Sequence, residues 1–292
     1  MSDVSYGYGR WSKASEPRRA LHELLREHEQ AGELPTSNRF LLYELRQRGG
    51  PLYGHYSRGD GGRGQDQNLS DASTWLRDEG IVPWSWIVDE TRSLTAYRYA
   101  TTVGDYLADS VDLARIDCWN GHLPPVIICE SRTFGGVLGR TVAAEYLCPV
   151  TPTNGQVGGF LHTNVVPWLE GNERPVLYVG DLDLAGGDIE SNTRRVLVRE
   201  AGERAWTRVA LTAEQVAEHD LPRVQKVDRR FRPPRVHEAV EVEALGQGVV
   251  TGIIRAALDE LLPEPLADVQ VRERIERARA RELLSLLVGS AG

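Results

Sequence analysis

The chain of 292 residues is poor in lysine, in cysteine and in long apolar runs. Its only lysines are Lys13 and Lys226, and neither stands in a GxxxxGK[ST] context, so a P-loop is excluded. Its three cysteines lack CxxC or Cys/His spacing, so we expect reduced thiols and neither a disulfide framework nor a zinc site. No apolar stretch approaches the ~20 residues that cross a bilayer, and no leader pattern follows Met1. The sequence therefore predicts a soluble, cytoplasmic protein without a membrane partner.

The net charge of −8 is unevenly distributed. Residues 1–100 carry 13 basic and 14 acidic side chains, against 21 and 28 in residues 101–292. An acidic balance argues against a protein that coats polyanions over its whole surface. At ~100–200 residues per domain, the length predicts one large domain or two modest ones.

Residues 1–100 predict an N-terminal winged-helix domain. Helical apolar spacing covers residues 17–30, and a second helix follows an N-cap at Thr36 or Ser37. A third helix is expected at about Ser70 to Asp78. The alternation of apolar and polar residues from Ile81 to Asp89 then predicts a strand or short hairpin as the wing. The alternative interpretation is a small helical cap.

Residues 101–292 predict an α/β domain with a parallel sheet and C-terminal helices. A buried-strand run at Val126-Ile127-Ile128-Cys129 is followed by strands expected at 148–151 and 175–180. The expected helices cover 134–147, a broken stretch up to Trp168, 188–201, 248–262 and 269–287.

Acidic side chains follow two of these strands at the ends where parallel sheets collect functional groups. Glu130 follows the first strand, and Asp181 and Asp183 follow the third. Residues i and i+2 of an extended segment point to the same side, and three carboxylates without His or Cys suit Mg²⁺. Solvation of strand ends is the alternative for these acids. Asp188 is either a fourth ligand or, as we prefer, a helix N-cap.

Three segments together resemble a Toprim domain, the metal-binding fold of topoisomerases, primases and related nucleases. They are Cys129-Glu130-Ser131, the Asn154-Gly155 turn and Val179-Gly180-Asp181-Leu182-Asp183-Leu184-Ala185-Gly186. The DxDxxG form is similar to the A subunit of topoisomerase VI and its relatives, the meiotic double-strand-break protein and short bacterial and phage homologues. The resemblance covers about residues 122–262, including Glu241-Val242-Glu243-Ala244-Leu245. It implies that Glu130, Asp181 and Asp183 hold Mg²⁺ for cleavage of double-stranded DNA.

Ser37-Asn38-Arg39-Phe40-Leu41-Leu42-Tyr43 is similar to the tyrosine motif of that family. The resemblance implies that Tyr43 attacks a DNA phosphate and that Arg39 stabilises the phenolate or binds the phosphate. Two positions depart from the family pattern, since Phe40 replaces an acid and Leu42 replaces an aromatic residue. The alternative is an ordinary half-buried helix tyrosine.

Arginines of the N-terminal region are candidate phosphate contacts. They are Arg46, Arg48, Arg58, Arg63, Arg92 and Arg98. Trp84 and Trp86 either stack on bases or pack in the protein. Lys226 and Asp228 either support the metal ligands from behind or form a surface ion pair.

The resemblance also implies partners. Relatives place the tyrosine of one protomer against the metal of the other, so we expect a twofold homodimer with shared active sites. A separate ATPase partner is left open. Two other functions are left open as well, a Toprim-type hydrolytic DNA nuclease of phage or plasmid defence and a non-catalytic DNA-binding protein.

Overall fold

A computed structural model describes residues 6–7, 15–49, 64–88, 96–153, 159–228 and 232–289. The α-helices are α1 (Ser15–Ala31), α2 (Asn38–Gln47), α3 (Gln65–Asp78), α4 (Val103–Val111), α5 (Arg132–Arg140), α6 (Val142–Glu145), α7 (Val166–Leu169), α8 (Leu184–Ala201), α9 (Ala213–Glu218), α10 (Gln247–Asp259) and α11 (Leu266–Gly289). The strands are β1 (Val126–Cys129), β2 (Val150–Pro152), β3 (Val176–Val179), β4 (Trp206–Ala210), β5 (Val224–Asp228) and β6 (Arg235–Ala239). Short 3-10 turns cover Trp84–Trp86 and Val242–Leu245, and a π-helical turn covers Leu161–Val165.

The first four strands form one parallel sheet in the order β2-β1-β3-β4. Val126 to Cys129 pair in register with Val176 to Val179, which makes the two acid-bearing strands neighbours. The predicted α/β class and parallel sheet are confirmed. The sequence did not predict β4, helix α4, or the separate antiparallel hairpin of β5 and β6.

Side chains of the central strands β1 and β3 alternate between two apolar cores, one on each face of the sheet. Helices α5 and α10 contribute to the first core, and helices α7 and α8 contribute to the second. The strand residues of the first core are Ile127, Cys129, Leu177 and Val179. Those of the second core are Val126, Ile128, Val176 and Tyr178. Strands buried on both faces are expected where helices cover a parallel sheet, which explains their continuous apolar runs.

A third core joins helices α1, α2 and α3 of the N-terminal region. Ser37 caps α2 as predicted, and its hydroxyl accepts the Phe40 N–H at 3.3 Å. The predicted wing strand at 81–89 is wrong for the described residues. Pro83 lacks an N–H and precedes a 3-10 turn, while Ile87 makes only an isolated parallel bridge to Thr36. Val82 and Ile87 pack into the third core instead.

Three predicted helix boundaries are corrected by local geometry. Helix α3 begins five residues before Ser70. The helix expected at 134–147 is divided into α5 and α6, because Thr141 leaves the helical conformation. Helix α8 begins at Leu184, because the Asp183 carboxylate caps it by accepting the Gly186 N–H at 2.6 Å. Asp188 therefore lies inside the helix, and its interpretation as the N-cap is wrong.

The cysteines and the helix lengths bear on the thiol and membrane expectations. Cys118, Cys129 and Cys148 are buried free thiols. Within the described ranges, every helix is too short or too polar to cross a membrane.

Candidate active site

Glu130 lies directly beyond β1, at the carboxyl end of the sheet. Its Oε1 accepts a hydrogen bond from the Tyr178 hydroxyl at 3.0 Å, which ties it to the neighbouring strand. Two glycines leave room for this carboxylate, since a Cβ at Gly180 would collide with it and a Cβ at Gly186 would lie 3.0 Å from it. Gly180 and Gly186, which flank the Asp181-Leu182-Asp183 segment, thus pack against the acid of the adjacent strand.

Asp181 and Asp183 follow β3, and both carboxylates are held by the protein. Asp181 Oδ1 accepts the Val242 N–H at 3.0 Å. Asp183 caps α8 and also accepts a hydrogen bond from Lys226 Nζ at 2.8 Å. Asp181 Oδ2 lies 3.7 Å from the same nitrogen. Their common contact with Lys226 shows that the two aspartates face the same side, as their spacing predicted.

The ammonium group of Lys226, on β5, lies among three carboxylates. Besides the two aspartates, Glu241 approaches it to 3.4 Å. Burial disfavours the charged ammonium, but Asp183, Asp181 and Glu241 outweigh burial and raise the pKa of Lys226. Lys226 therefore contacts the predicted metal ligands Asp181 and Asp183 directly. Asp228, at the end of β5, is buried and lies opposite Arg235 in the hairpin register.

Glu241 and Glu243 are buried acids that sequence reasoning did not select. They flank Val242, whose N–H binds Asp181, and an antiparallel bridge between Leu182 and Val240 holds this segment against the end of β3. A signal was present in the sequence, because two glutamates interrupt an otherwise apolar run after β6. We call Glu130, Asp181, Asp183, Glu241 and Glu243 the carboxylate cluster.

Helix α2 brings Tyr43 and Arg39 to this cluster. The Tyr43 side chain is buried, and its hydroxyl donates a hydrogen bond to Glu241 Oε2. The Arg39 guanidinium lies 2.5 Å from the same carboxylate oxygen and 2.9 Å from Glu243 Oε1. Burial opposes the charge of Arg39, but Glu243 and Glu241 hold its pKa above the ordinary value. The tyrosine motif and the acids, which the sequence assigns to different domains, therefore meet within one chain.

Polar contacts along α2 fix its position against the segment after Glu243. Gln47 donates a hydrogen bond to the Ala244 carbonyl at 2.6 Å, and the Gln247 N–H donates to Glu44 at 3.1 Å. His28 on α1 lies 2.7 Å from the other oxygen of the Glu44 carboxylate. These bonds hold α2, and with it Tyr43 and Arg39, against the segment after Glu243.

The five carboxylates of the cluster outnumber the cations beside them, which are Arg39, Lys226 and, near Glu130, Arg208. Burial, and then the charge of Asp181, raise the pKa of Glu130 to about 7. Burial likewise raises the pKa values of Asp181 and Glu243, against the effect of nearby cations and hydrogen bonds. Burial also opposes ionisation of Asp183, but the hydrogen bonds from Lys226 and Gly186 bring its pKa below the ordinary value. Glu130, Asp181 and Glu243 are therefore harder to ionise than the same groups in water.

Magnesium fits Glu130, Asp181 and Asp183 chemically, because each of these candidate ligands offers carboxylate oxygens. Within the part of the chain that the structure describes, no three acidic, histidine or cysteine side chains are already arranged around a common metal position. The Lys226 ammonium contacts both Asp181 and Asp183. A metal ion shared by the two aspartates therefore requires Lys226 to give up at least one of these contacts.

The predicted DNA contacts are dispersed. Arg48 forms an exposed ion pair with Glu27 at 2.6 Å, and the guanidinium of Arg46 lies 5.6 Å from the centre of the Tyr43 ring. Arg98 lies over the Tyr106 ring. Arg58, Arg63 and Arg92, like the Asn154-Gly155 turn, lie outside the described residues.

The two tryptophans of the predicted wing have different surroundings. Trp84 is exposed, with the Arg77 guanidinium over its ring, whereas Trp86 packs against the third core. Packing therefore accounts for Trp86, and stacking on a base stays a prediction for Trp84.

A cavity of about 430 Å³ lies beside Tyr43 and Arg39, lined also by Asn38, Asp66 and Glu241. Comparison of the chain with protein-family models, with curated proteins and with solved structures found no match.

Proposed function

We propose that this protein is a Mg²⁺-dependent DNA-cleaving enzyme in which Tyr43 becomes linked to a DNA strand through a phosphodiester. One observation carries the proposal. Tyr43 and Arg39 reach the carboxylate cluster of the same chain, although 198 positions separate Tyr43 from Glu241. A nucleophilic phenol, a guanidinium that can bind a phosphate and a set of hard oxygen donors are the groups that phosphodiester transfer requires.

Each group has a role in this proposal. The Tyr43 oxygen attacks the phosphorus, and Arg39 binds a non-bridging phosphate oxygen. Glu130, Asp181 and Asp183 would hold the metal ion, which when bound stabilises the negative charge that develops on the phosphate. Lys226 keeps the aspartates together in the metal-free protein, and Tyr178 orients Glu130.

The proposal includes the finer fold assignment. Helices α1, α2 and α3 would form the helical part of a winged-helix DNA-binding domain, and the parallel sheet would be a Toprim domain. The acids beyond the adjacent strands β1 and β3 support the second assignment. Support for the first is the helical trio with its own core, since the described residues contain no wing strand.

The test is incubation with supercoiled plasmid and Mg²⁺, followed by electrophoresis with and without proteinase treatment. We expect cut DNA that carries covalently bound protein, and no product in excess chelator. Tyr43→Phe should abolish the protein-linked product. The matched control is Tyr146→Phe, which removes another phenol hydroxyl bonded to a carboxylate, that of Asp259 at 2.7 Å, away from the cluster. Protein-linked ends formed by Tyr43→Phe would refute the assignment of the nucleophile.

A Toprim-type hydrolase is the second candidate, and the burial of Tyr43 favours it. In that enzyme water attacks the phosphate, and Tyr43 only packs against Glu241. The same assay separates the two functions, because a hydrolase leaves free DNA ends and keeps cutting when Tyr43 is replaced by Phe.

A homodimer on double-stranded DNA is part of the proposal, because one site cuts one strand. The contact between Tyr43 and Glu241 in one chain supports sites that each lie within a protomer. Sharing of sites between protomers, which the family resemblance implies, stays a prediction.

A further inference from the structure

Glu241 occupies a central position among the groups around Tyr43. Its Oε2 accepts the Tyr43 hydroxyl and lies 2.5 Å from Arg39, while its Oε1 lies 3.4 Å from Lys226. The side chain is only 8% exposed. Burial opposes its charge, but Arg39, the Tyr43 hydroxyl and Lys226 bring the pKa of Glu241 below the ordinary value. Glu241 is therefore an ionised carboxylate at neutral pH. Its oxygen already accepts a hydrogen bond from the one proton that Tyr43 must lose.

We propose that Glu241 is the general base that accepts the proton of Tyr43 during attack on the DNA phosphate. This role rests on the proposed function and assigns a catalytic residue outside the Glu130, Asp181 and Asp183 set. A phenol, with a pKa of ~10 in water, is almost entirely protonated at neutral pH and needs such an acceptor. A general base must lie within hydrogen-bond reach of the proton, and Glu241 meets this requirement in the absence of DNA.

The step is a transesterification that balances without a redox partner. The O–H bond of Tyr43 breaks, and its proton passes to Glu241 Oε2. The Tyr43 oxygen forms a bond to phosphorus, the bond from phosphorus to one deoxyribose oxygen breaks, and the leaving oxygen takes a proton from water. In the reverse direction, Glu241 returns its proton to the phenol as the strand is rejoined.

Arg39 links substrate binding to the basicity of Glu241. In the absence of DNA the guanidinium is paired with Glu241 and Glu243, which weakens Glu241 as a base. Arg39 is 41% exposed, and it borders the cavity beside Tyr43. A phosphate oxygen bound there competes for the guanidinium, and Glu241 becomes a stronger base when it loses that cation.

The test is Glu241→Gln, which keeps the size of the side chain and an oxygen to accept the Tyr43 hydroxyl but takes up no proton. General-base catalysis contributes ~10²–10⁴-fold, so we expect protein-linked DNA to form about 100-fold more slowly in a single-turnover assay. A fluorinated tyrosine introduced at position 43 supplies a more acidic phenol. It should restore at least tenfold of the lost rate in Glu241→Gln, and such rescue also shows that the variant is folded.

Glu243→Gln is the matched comparison, because Glu243 pairs with Arg39 through its carboxylate, whereas the Tyr43 hydroxyl donates to Glu241. Any loss in that variant acts through Arg39 and should not be rescued by the acidic phenol. Adduct formation by Glu241→Gln at the wild-type rate, or a loss that the fluorinated tyrosine leaves unchanged, would overturn the role of Glu241. If the wild-type protein cuts DNA but leaves free ends, the proposed tyrosine mechanism itself fails, and the role of Glu241 fails with it.

Discussion

Replacement of Glu130 by Gln should stabilise the metal-free protein at alkaline pH. Glu130 is half-buried beyond β1, and burial and the charge of Asp181 raise its pKa from 4.5 to about 7. At ~1.36 kcal/mol per pH unit, keeping this carboxylate ionised costs the folded state about 3 kcal/mol. That figure is an upper limit, because part of the side chain remains in water. Gln removes the charge and keeps an oxygen for the Tyr178 hydroxyl.

The sign of the effect follows from linkage. Between pH 4.5 and about 7 the folded protein retains a proton on Glu130 that the unfolded chain has lost, so the stability that this group contributes falls as pH rises. The loss is complete above about pH 7. Glu130→Gln lacks this dependence. Its advantage over the wild type should therefore be small at pH 5 and largest at pH 8.

The assay is thermal unfolding of wild type and variant in chelator at pH 5 and pH 8. At roughly 2 °C per kcal/mol for a chain of this size, we expect the variant to unfold up to about 6 °C higher at pH 8. Mg²⁺ should raise the Tm of the wild type at pH 8, and much less that of Glu130→Gln, which lacks a ligand charge. Glu170→Gln, which removes an exposed carboxylate after α7, controls for net charge. A difference between wild type and Glu130→Gln that is independent of pH would refute this account of the site.

Three further predictions concern the same region. Gly180→Ala should lower the Tm by about 2–6 °C, because the added Cβ collides with the Glu130 carboxylate. Gly187→Ala should leave the Tm unchanged, because a Cβ there meets nothing within 4 Å. Equal Tm values for the two variants would contradict the packing of Gly180 against Glu130. Lys226→Gln should destabilise the metal-free protein by about 1–3 kcal/mol and enlarge the rise in Tm that Mg²⁺ produces. The control Arg223→Gln, which removes an exposed ion pair, should cost less than about 1 kcal/mol. An unchanged Tm response to Mg²⁺ in Lys226→Gln would contradict the role of Lys226. If each site lies within one chain, a mixture of Tyr43→Phe and Glu130→Ala protomers should stay inactive under conditions of subunit exchange, and nicking of plasmid by the mixture would show that sites are shared.

The parallel sheet could be predicted because its strands are encoded by continuous apolar runs. Val126 to Cys129 and Val176 to Val179 are buried on both faces, so their pattern depends little on distant contacts. The acids after these strands could be located for the same reason. The start of α8 could not, because Gly186 and Gly187 are poor helix formers and the cap at Asp183 overrides their propensity.

The wing and the β5–β6 hairpin show two limits of reading local patterns. Alternation between Ile81 and Asp89 is typical of a strand, yet in the described residues it serves packing of Val82 and Ile87 on helices. The hairpin was missed for the opposite reason. Its valines Val227 and Val236 are exposed, so β5 and β6 lack the buried alternating face that identifies a strand.

Glu241 and Glu243 could not be assigned from the sequence, because Tyr43 and Arg39, which they contact, lie about 200 positions away. The spacing of charges in a segment says nothing about a tyrosine on a distant helix. Burying either glutamate costs free energy, because the carboxylate loses hydration that only a partner in the protein can replace. Acids that alternate with buried apolar residues, as Glu241 and Glu243 do with Val242 and Ala244, thus indicate a candidate site.

Helix α2 ties the candidate nucleophile to the sheet through packing as well as through charge. Leu41 and Leu45 belong to the core of the N-terminal region, whereas Phe40 and Tyr43 belong to the first core of the sheet. At ~1.5–3 kcal/mol for each large apolar side chain, exposing Phe40 and Tyr43 alone would cost about 3–6 kcal/mol, before the ion pairs of Arg39 are broken. Admission of DNA by separating the N-terminal region from the sheet would therefore cost much of the free energy of folding. Entry of a phosphate beside Arg39, with α2 left in place, keeps both cores closed and the Tyr43 hydroxyl on Glu241.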